Sequence, residues 1–241
     1  MSSAVPDKIS EDALISGLRR GVERTKSLIA HWTDYHGGPT TTEYLLTSDI
    51  AREFIEAYYE TRVEFLNRRL VNGLTALKPA PALDPLNSKR TDVVLLYGDL
   101  IPVAVIEVKI GVATLNGISG DLDKITDTFR RLNSTSASKV IGAVVFQVHI
   151  GTTKTRNTMA ELKAEIEKKE RRIKTALSVY AKDNDGFAFR MVSLQGPDEG
   201  IAASDEDNSG HATRYHVVVI RDKRPAPLAK TLSDLKEQKR C

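Results

Sequence analysis

Apolar positions along this chain fall into two periods, and the switches between them outline its elements. From Ala13 to Trp32 the apolar residues Leu14, Leu18, Val22, Leu28 and Ile29 recur at helical spacing, with Arg19, Arg20, Arg24 and Lys26 between them. This predicts an amphipathic helix with a basic outer face. A second helical pattern runs from about Thr42 to Leu70. Two β-rich runs follow, Asp92 to Tyr97 and Val103 to Ile110, separated by Gly98-Asp99 and opened on the second side by Pro102. Ile118 to Leu132 returns to the helical period, and Lys139 to Ile150 is a strongly apolar strand. The longest helical pattern is Thr155 to Lys182. Gly186 to Leu194 and Thr213 to Arg221 are further strands, separated by the acidic stretch Gly196 to Gly210. The expected fold is α/β: a mixed sheet of about five or six strands with helices on both faces.

The run Val103 to Ile110 lacks simple apolar/polar alternation, which marks a central strand covered on both sides. Charges inside such a strand are costly unless paired or bound to a metal. Strand alternation puts Val103, Val105, Glu107 and Lys109 on one face and Ala104, Ile106, Val108 and Ile110 on the other. If the two runs form a hairpin, Asp92 lies opposite Val108, within one residue. Two carboxylates and an ammonium then meet at one end of the hairpin. Asp92, Glu107 and the Val108 carbonyl offer oxygen ligands to a hard cation such as Mg²⁺, with Mn²⁺ as a substitute. Lys109 is placed to orient or help deprotonate an attacking water and to stabilise charge on a phosphate. The structural alternative is a plain cross-strand ion pair.

Asp92 followed by Glu107-Val108-Lys109, at the ends of two hydrophobic strands, resembles the PD-(D/E)xK nuclease superfamily with its restriction-endonuclease-like fold. The order of elements around it is similar too: a helix before, then a helix and an apolar strand after, over about Pro39 to Ile150. Thr91 stands where the motif often has Pro. The resemblance implies a Mg²⁺-dependent nuclease acting on nucleic acid, DNA favoured over RNA, in restriction, phage defence or mobile-element processing. Members often add a Glu from the preceding helix, and Glu43 is the candidate. On a helical wheel it shares the mainly apolar stripe of Leu46, Ile50, Phe54, Ala57 and Thr61. The competing reading is a capping box with Thr40 as N-cap and Glu43 three residues on. Glu53, at the stripe's edge, is the reserve candidate. The contrasting functional reading is a catalytically silent nuclease-like fold that binds nucleic acid or assembles with a partner.

Composition narrows the classes without choosing among them. The chain has 241 residues, a formal net charge of +3 and one cysteine, Cys241, so disulfides and cysteine-based zinc sites within one chain are excluded. A charge of +3 does not by itself indicate nucleic-acid binding. The basic face of the first helix offers one contact to a phosphate backbone, although such faces are commonly just solvated. His31 and His36 lie near a Gly-Gly-Pro loop without neighbouring ligand residues. Gly111, Gly117 and Gly120 follow the Lys109 strand and suggest backbone lying close to substrate, or a plain flexible loop. No secretory pattern and no apolar run of membrane-spanning length is seen, so no membrane association and a cytoplasmic location are expected. Residues 1–38 are read as an N-terminal helical segment, 39–222 as the nuclease-like domain and 223–241 as a charged tail. The long helix from Thr155 offers a pairing face for a homodimer or larger complex, though it is too short and broken for a coiled coil.

Overall fold

The computed structural model describes residues 9–33, 42–57, 59–66, 89–97, 101–132, 139–151, 158–196, 199–202 and 210–224. The elements in order are α1 (Glu11–Thr33), α2 (Glu43–Glu56), β1 (Glu60–Leu66), β2 (Arg90–Tyr97) and β3 (Ile101–Lys109). After these come α3 (Asn116–Arg131), β4 (Ile141–Gly151), α4 (Met159–Asp183), β5 (Phe187–Ser193), β6 (Ile201–Ala202) and β7 (His211–Asp222). The fold is mixed α/β, as the two periods predict.

One expected helix is in fact a helix and a strand. The pattern predicts helix from Thr42 to Leu70, but α2 stops at Glu56 and β1 begins at Glu60. The cause lies in the residues: Tyr59, Thr61, Val63 and Phe65 alternate with charged neighbours, a period of two that favours a strand. Residues 67–88, which contain the rest of that expected helix and most of the Pro-rich connection, lie outside the described residues, as do Thr40, His36, residues 203–209 and residues 225–241.

The sheet runs β1-β2-β3-β4-β7-β5, with β6 beside β7. β1, β2 and β3 form an antiparallel meander. β4 lies parallel to β3, with Lys109 beside Phe146. A parallel neighbour requires a crossover, and α3 makes it. β7 returns antiparallel to β4, and β5 closes the far edge.

Two cores sit on opposite faces. α1 and α2 cover Val93, Leu95, Ala104, Ile106, Val108, Val145 and Val217. α3 and α4 cover Val94, Val105, Val144, Phe146, Val148 and Val218. This double cover is why β3 and β4 read as continuous apolar runs. Val103 departs from strict alternation and joins the α1/α2 core. The β2–β3 register shifts between Leu95 and Leu96, and the extra residue reverses the facing of the chain before it. Close contact of α3 with the sheet needs a glycine: a Cβ at Gly142 would come within 2.5 Å of Ile125 and 3.1 Å of Ile220. Among the described residues no helix is long and apolar enough to cross a membrane.

Candidate functional site

β2 and β3 pair in register from Leu95↔Ala104 to Val93↔Ile106. One further step sets Asp92 across from Glu107, one residue away from Val108. Opposed residues of an antiparallel pair share a face, so Asp92, Glu107 and Lys109 lie on the α3 side of the sheet. The regular pairing ends there. Instead of a backbone bond, the Val108 N–H donates to Asp92 Oδ2 at 2.7 Å. On the other flank β1 pairs through Val63↔Val93 and Phe65↔Thr91, which leaves Glu64 across from Asp92. Glu64 has a φ of 54°, a left-handed conformation that costs a non-glycine residue about 1 kcal/mol or more. Backbone irregularity therefore flanks Asp92 on both sides.

Glu107 is the most buried of these charges, at 1% exposure. Its Oε2 is paired with the ammonium of Lys124, and its Oε1 is buried with no hydrogen-bond partner. Burial drives the Glu107 pKa from 4.5 to about 8; Asp92 adds to the rise and Lys124 opposes it. Burial also raises Asp92 above the usual carboxylate range, against the Val108 N–H and the nearby lysines. Asp121, on the first turns of α3, is raised by burial as well, while Lys109 and Lys124 pull it down.

Lys109 is half-buried, and its Nζ donates to Glu43 Oε1 at 3.0 Å. Burial works against the ammonium, but the hydrogen bond to Glu43 and the charges of Asp121, Glu43 and Asp92 outweigh it, so its pKa is raised. Lys109 is therefore held as a cation.

The structure brings together Asp92, Glu107, Lys109 and Glu43, but Glu43 arrives differently from its expected place. The N-cap of α2 is Thr42, whose hydroxyl accepts from the Leu45 N–H, so Glu43 is the first helical residue and not the third. The buried stripe of the helix is Leu46, Thr47, Asp49, Ile50, Ala51, Glu53 and Phe54. Glu43 lies partly exposed at the helix end, where it reaches Lys109 across the sheet edge. Glu53 is not part of the site. It accepts from Arg20 at 2.9 Å and Arg24 at 2.8 Å and clamps α1 to α2. Those bonds, with Arg24 to Glu56, engage Arg20 and Arg24 of the basic face of α1 within the fold. Gly117 and Gly120 lie inside α3 and not in a loop. Gly111, with φ +66, does turn the chain out of β3, and the Val112 N–H then bonds to Gln147.

Sequence reasoning misses two site residues, Asp121 and Lys124. They sit three apart on α3, on a row with Gly117 and Thr128 beside the buried stripe of Ile118, Leu122, Ile125 and Phe129. Thr128 is itself fully buried, so this row faces inward, and charges on it needed an account. Their signal was position: the helix directly after the Lys109 strand.

Two carboxylates, one with an orphaned buried oxygen, and a flanking backbone carbonyl are a hard-oxygen donor set, which fits a small divalent cation. Among the described residues no group of three or more His, Cys, Asp or Glu side chains is gathered closely enough to hold a metal by itself. No family model, curated protein or solved structure matches the chain.

Proposed function

We propose that the chain is a divalent-cation-dependent nuclease of the PD-(D/E)xK kind, most simply a Mg²⁺-dependent DNA endonuclease. The observation that carries this reading is the buried Glu107 with its Oε1 unpartnered, on the same face as Asp92 and two residues from a lysine held cationic. Helix, antiparallel meander, crossover helix and parallel strand (α2-β1-β2-β3-α3-β4) are also in the order that the resemblance implies.

Asp92 and Glu107 would hold the cation. The Val108 carbonyl, on the same edge of β3 as the N–H that meets Asp92, would be the third protein oxygen, and water would fill the remaining positions. Mn²⁺ fits the same donors. A divalent cation bound there would polarise the phosphoryl group and make water more acidic. Lys109 donates hydrogen bonds to the attacking water and to the charge growing on the phosphate, and Glu43 fixes the direction of its ammonium. In the reaction the water oxygen forms the new P–O bond and the P–O bond to the leaving group breaks. The leaving oxygen takes up a proton and the water gives one up.

A second reading, a silent nuclease-like module for binding or assembly, is favoured by one observation: each lysine of the site already has a carboxylate partner. Incubation of the protein with plasmid, linear and single-stranded DNA and with RNA, in Mg²⁺ or Mn²⁺, separates the two. Cleavage by wild type and not by Lys109→Ala supports the nuclease. Inert wild type on every substrate, with metal present, supports the module.

A further inference from the structure

Lys124 does more than neutralise a buried acid. An ammonium has three donors. Lys124 directs one to Glu107 Oε2 on β3 and another, at 2.8 Å, to the carbonyl of Arg90 on β2. Asp121 lies 4.0 Å away on its own helix. The side chain is 12% exposed, so these contacts are made largely out of water. The two strands it joins carry the two acids, and it joins them just beyond Val93↔Ile106, where their pairing gives out. It also engages one oxygen of Glu107 and leaves the other without a partner.

We infer that Lys124 is the positioning residue of the site: it sets the spacing of Asp92 and Glu107 and turns Glu107 so that only Oε1 faces the cation. This rests on the metal-site reading above. A carboxylate that ligates a metal is commonly held by such a partner, and loss of the partner costs 10- to 100-fold in metal affinity. The opposite role is physically distinct. If Lys124 merely stood in for the cation, it would compete with it, and its removal would tighten metal binding.

Mn²⁺ titration by calorimetry, on wild type, Lys124→Met and Lys124→Gln, reads the sign. Positioning predicts affinity lower by about 10- to 100-fold in Lys124→Met and partly restored in Lys124→Gln, whose amide can still donate to Glu107. Equal affinity in wild type and Lys124→Met, with only the melting temperature lowered, would leave a structural ion pair and overturn the inference. Tighter binding in Lys124→Met would overturn it in favour of competition. Wild type that binds no divalent cation would instead sink the metal-site reading and this inference with it. If Lys124→Met does not fold, acetylation footprinting of the wild type decides. Lys124 that stays protected at saturating Mn²⁺ supports positioning, and Lys124 that becomes labelled refutes it.

Discussion

Replacing Glu107 with Gln isolates the cost of keeping an anion at this depth. Glu107 titrates at about 8 in the fold against 4.5 ordinarily, chiefly because burial strips its hydration. That gap corresponds to roughly 5 kcal/mol against the anion at high pH, of which roughly 3 kcal/mol is felt at pH 7. The folded chain therefore binds a proton that the unfolded chain has released throughout the window from 4.5 to about 8. Stability from this group is greatest at the acid end of that window and falls as pH rises, with a slope approaching about 1.4 kcal/mol per pH unit in its middle. Glu107→Gln keeps the shape and has no proton to lose. It also takes the carboxylate partner from Lys124, which changes absolute stability. Absolute stability is thus a poor readout, and the slope is the proper one.

Urea denaturation of wild type and Glu107→Gln at half-unit steps from pH 5 to pH 8.5, in chelator, gives the difference curve. Asp92 and Asp121 titrate in both proteins and largely cancel. Wild type should lose several kcal/mol relative to the variant over that range. With Mg²⁺ present the loss should shrink, because a cation that binds only the anion offsets the burial cost. Calorimetry near pH 7 should then show close to one proton released per Mg²⁺ bound, from binding heats in buffers of different ionisation enthalpy. Parallel pH curves for the two proteins would refute the argument that Glu107 is a strained, protonated acid awaiting a counter-charge.

Asp92→Asn should weaken Mg²⁺ binding by an order of magnitude or more while the circular dichroism spectrum stays native; unchanged calorimetric affinity would count against the assignment. Lys109→Ala should slow single-turnover DNA cleavage by about two to three orders of magnitude with DNA binding retained, since its donors act on charge that develops in the transition state. Glu53→Ala should cost about 2 kcal/mol in denaturant midpoint measurements, because Arg20 and Arg24 lose their shared partner between α1 and α2, and should leave metal affinity untouched. Gly142→Ala should destabilise by about 1–3 kcal/mol, because the added methyl meets Ile125, Ile220 and Phe129 in a filled core.

What could be read ahead of the structure was whatever depends on periodicity within one segment. The hairpin, the facing of Glu107 and Lys109, and the two-sided cover of β3 all follow from a period of two with no polar face. The division of Thr42 to Leu70 into α2 and β1 was hidden, because Ile55, Tyr59, Val63 and Leu66 also satisfy helical spacing and tertiary pairing with β2 decides the outcome. The register at Asp92 is set by pairing that starts at Tyr97↔Ile101 and by the bulge near Leu96, which moves its partner from Ile106 to Glu107, and a count along the chain reveals neither. Lys124 and Asp121 were missed for another reason. Lys124 finds Glu107 and Arg90 at 17 and 34 residues' distance on other elements, Asp121 is tied in through Lys124 and Lys109, and nothing local distinguishes the two from solvated helix charges.

The charges of the site follow from where the fold puts its residues. Four carboxylates face this end of the sheet, Asp92, Glu107, Asp121 and Glu43; Lys109 and Lys124 stand among them, and the charge of Lys89 acts on Asp121 as well. The carboxylates still outnumber the lysines, and burial bears most heavily on Glu107, the least exposed of the four. The apolar runs of β2 and β3 carry the acids into the interior, where burial raises the pKa of both. The same acids act on Lys109: its hydrogen bond to Glu43 and the charges of Asp121 and Asp92 outweigh burial and favour its ammonium, so the two sides of the constellation shift in opposite senses, acids toward the neutral form and lysine toward the charged one.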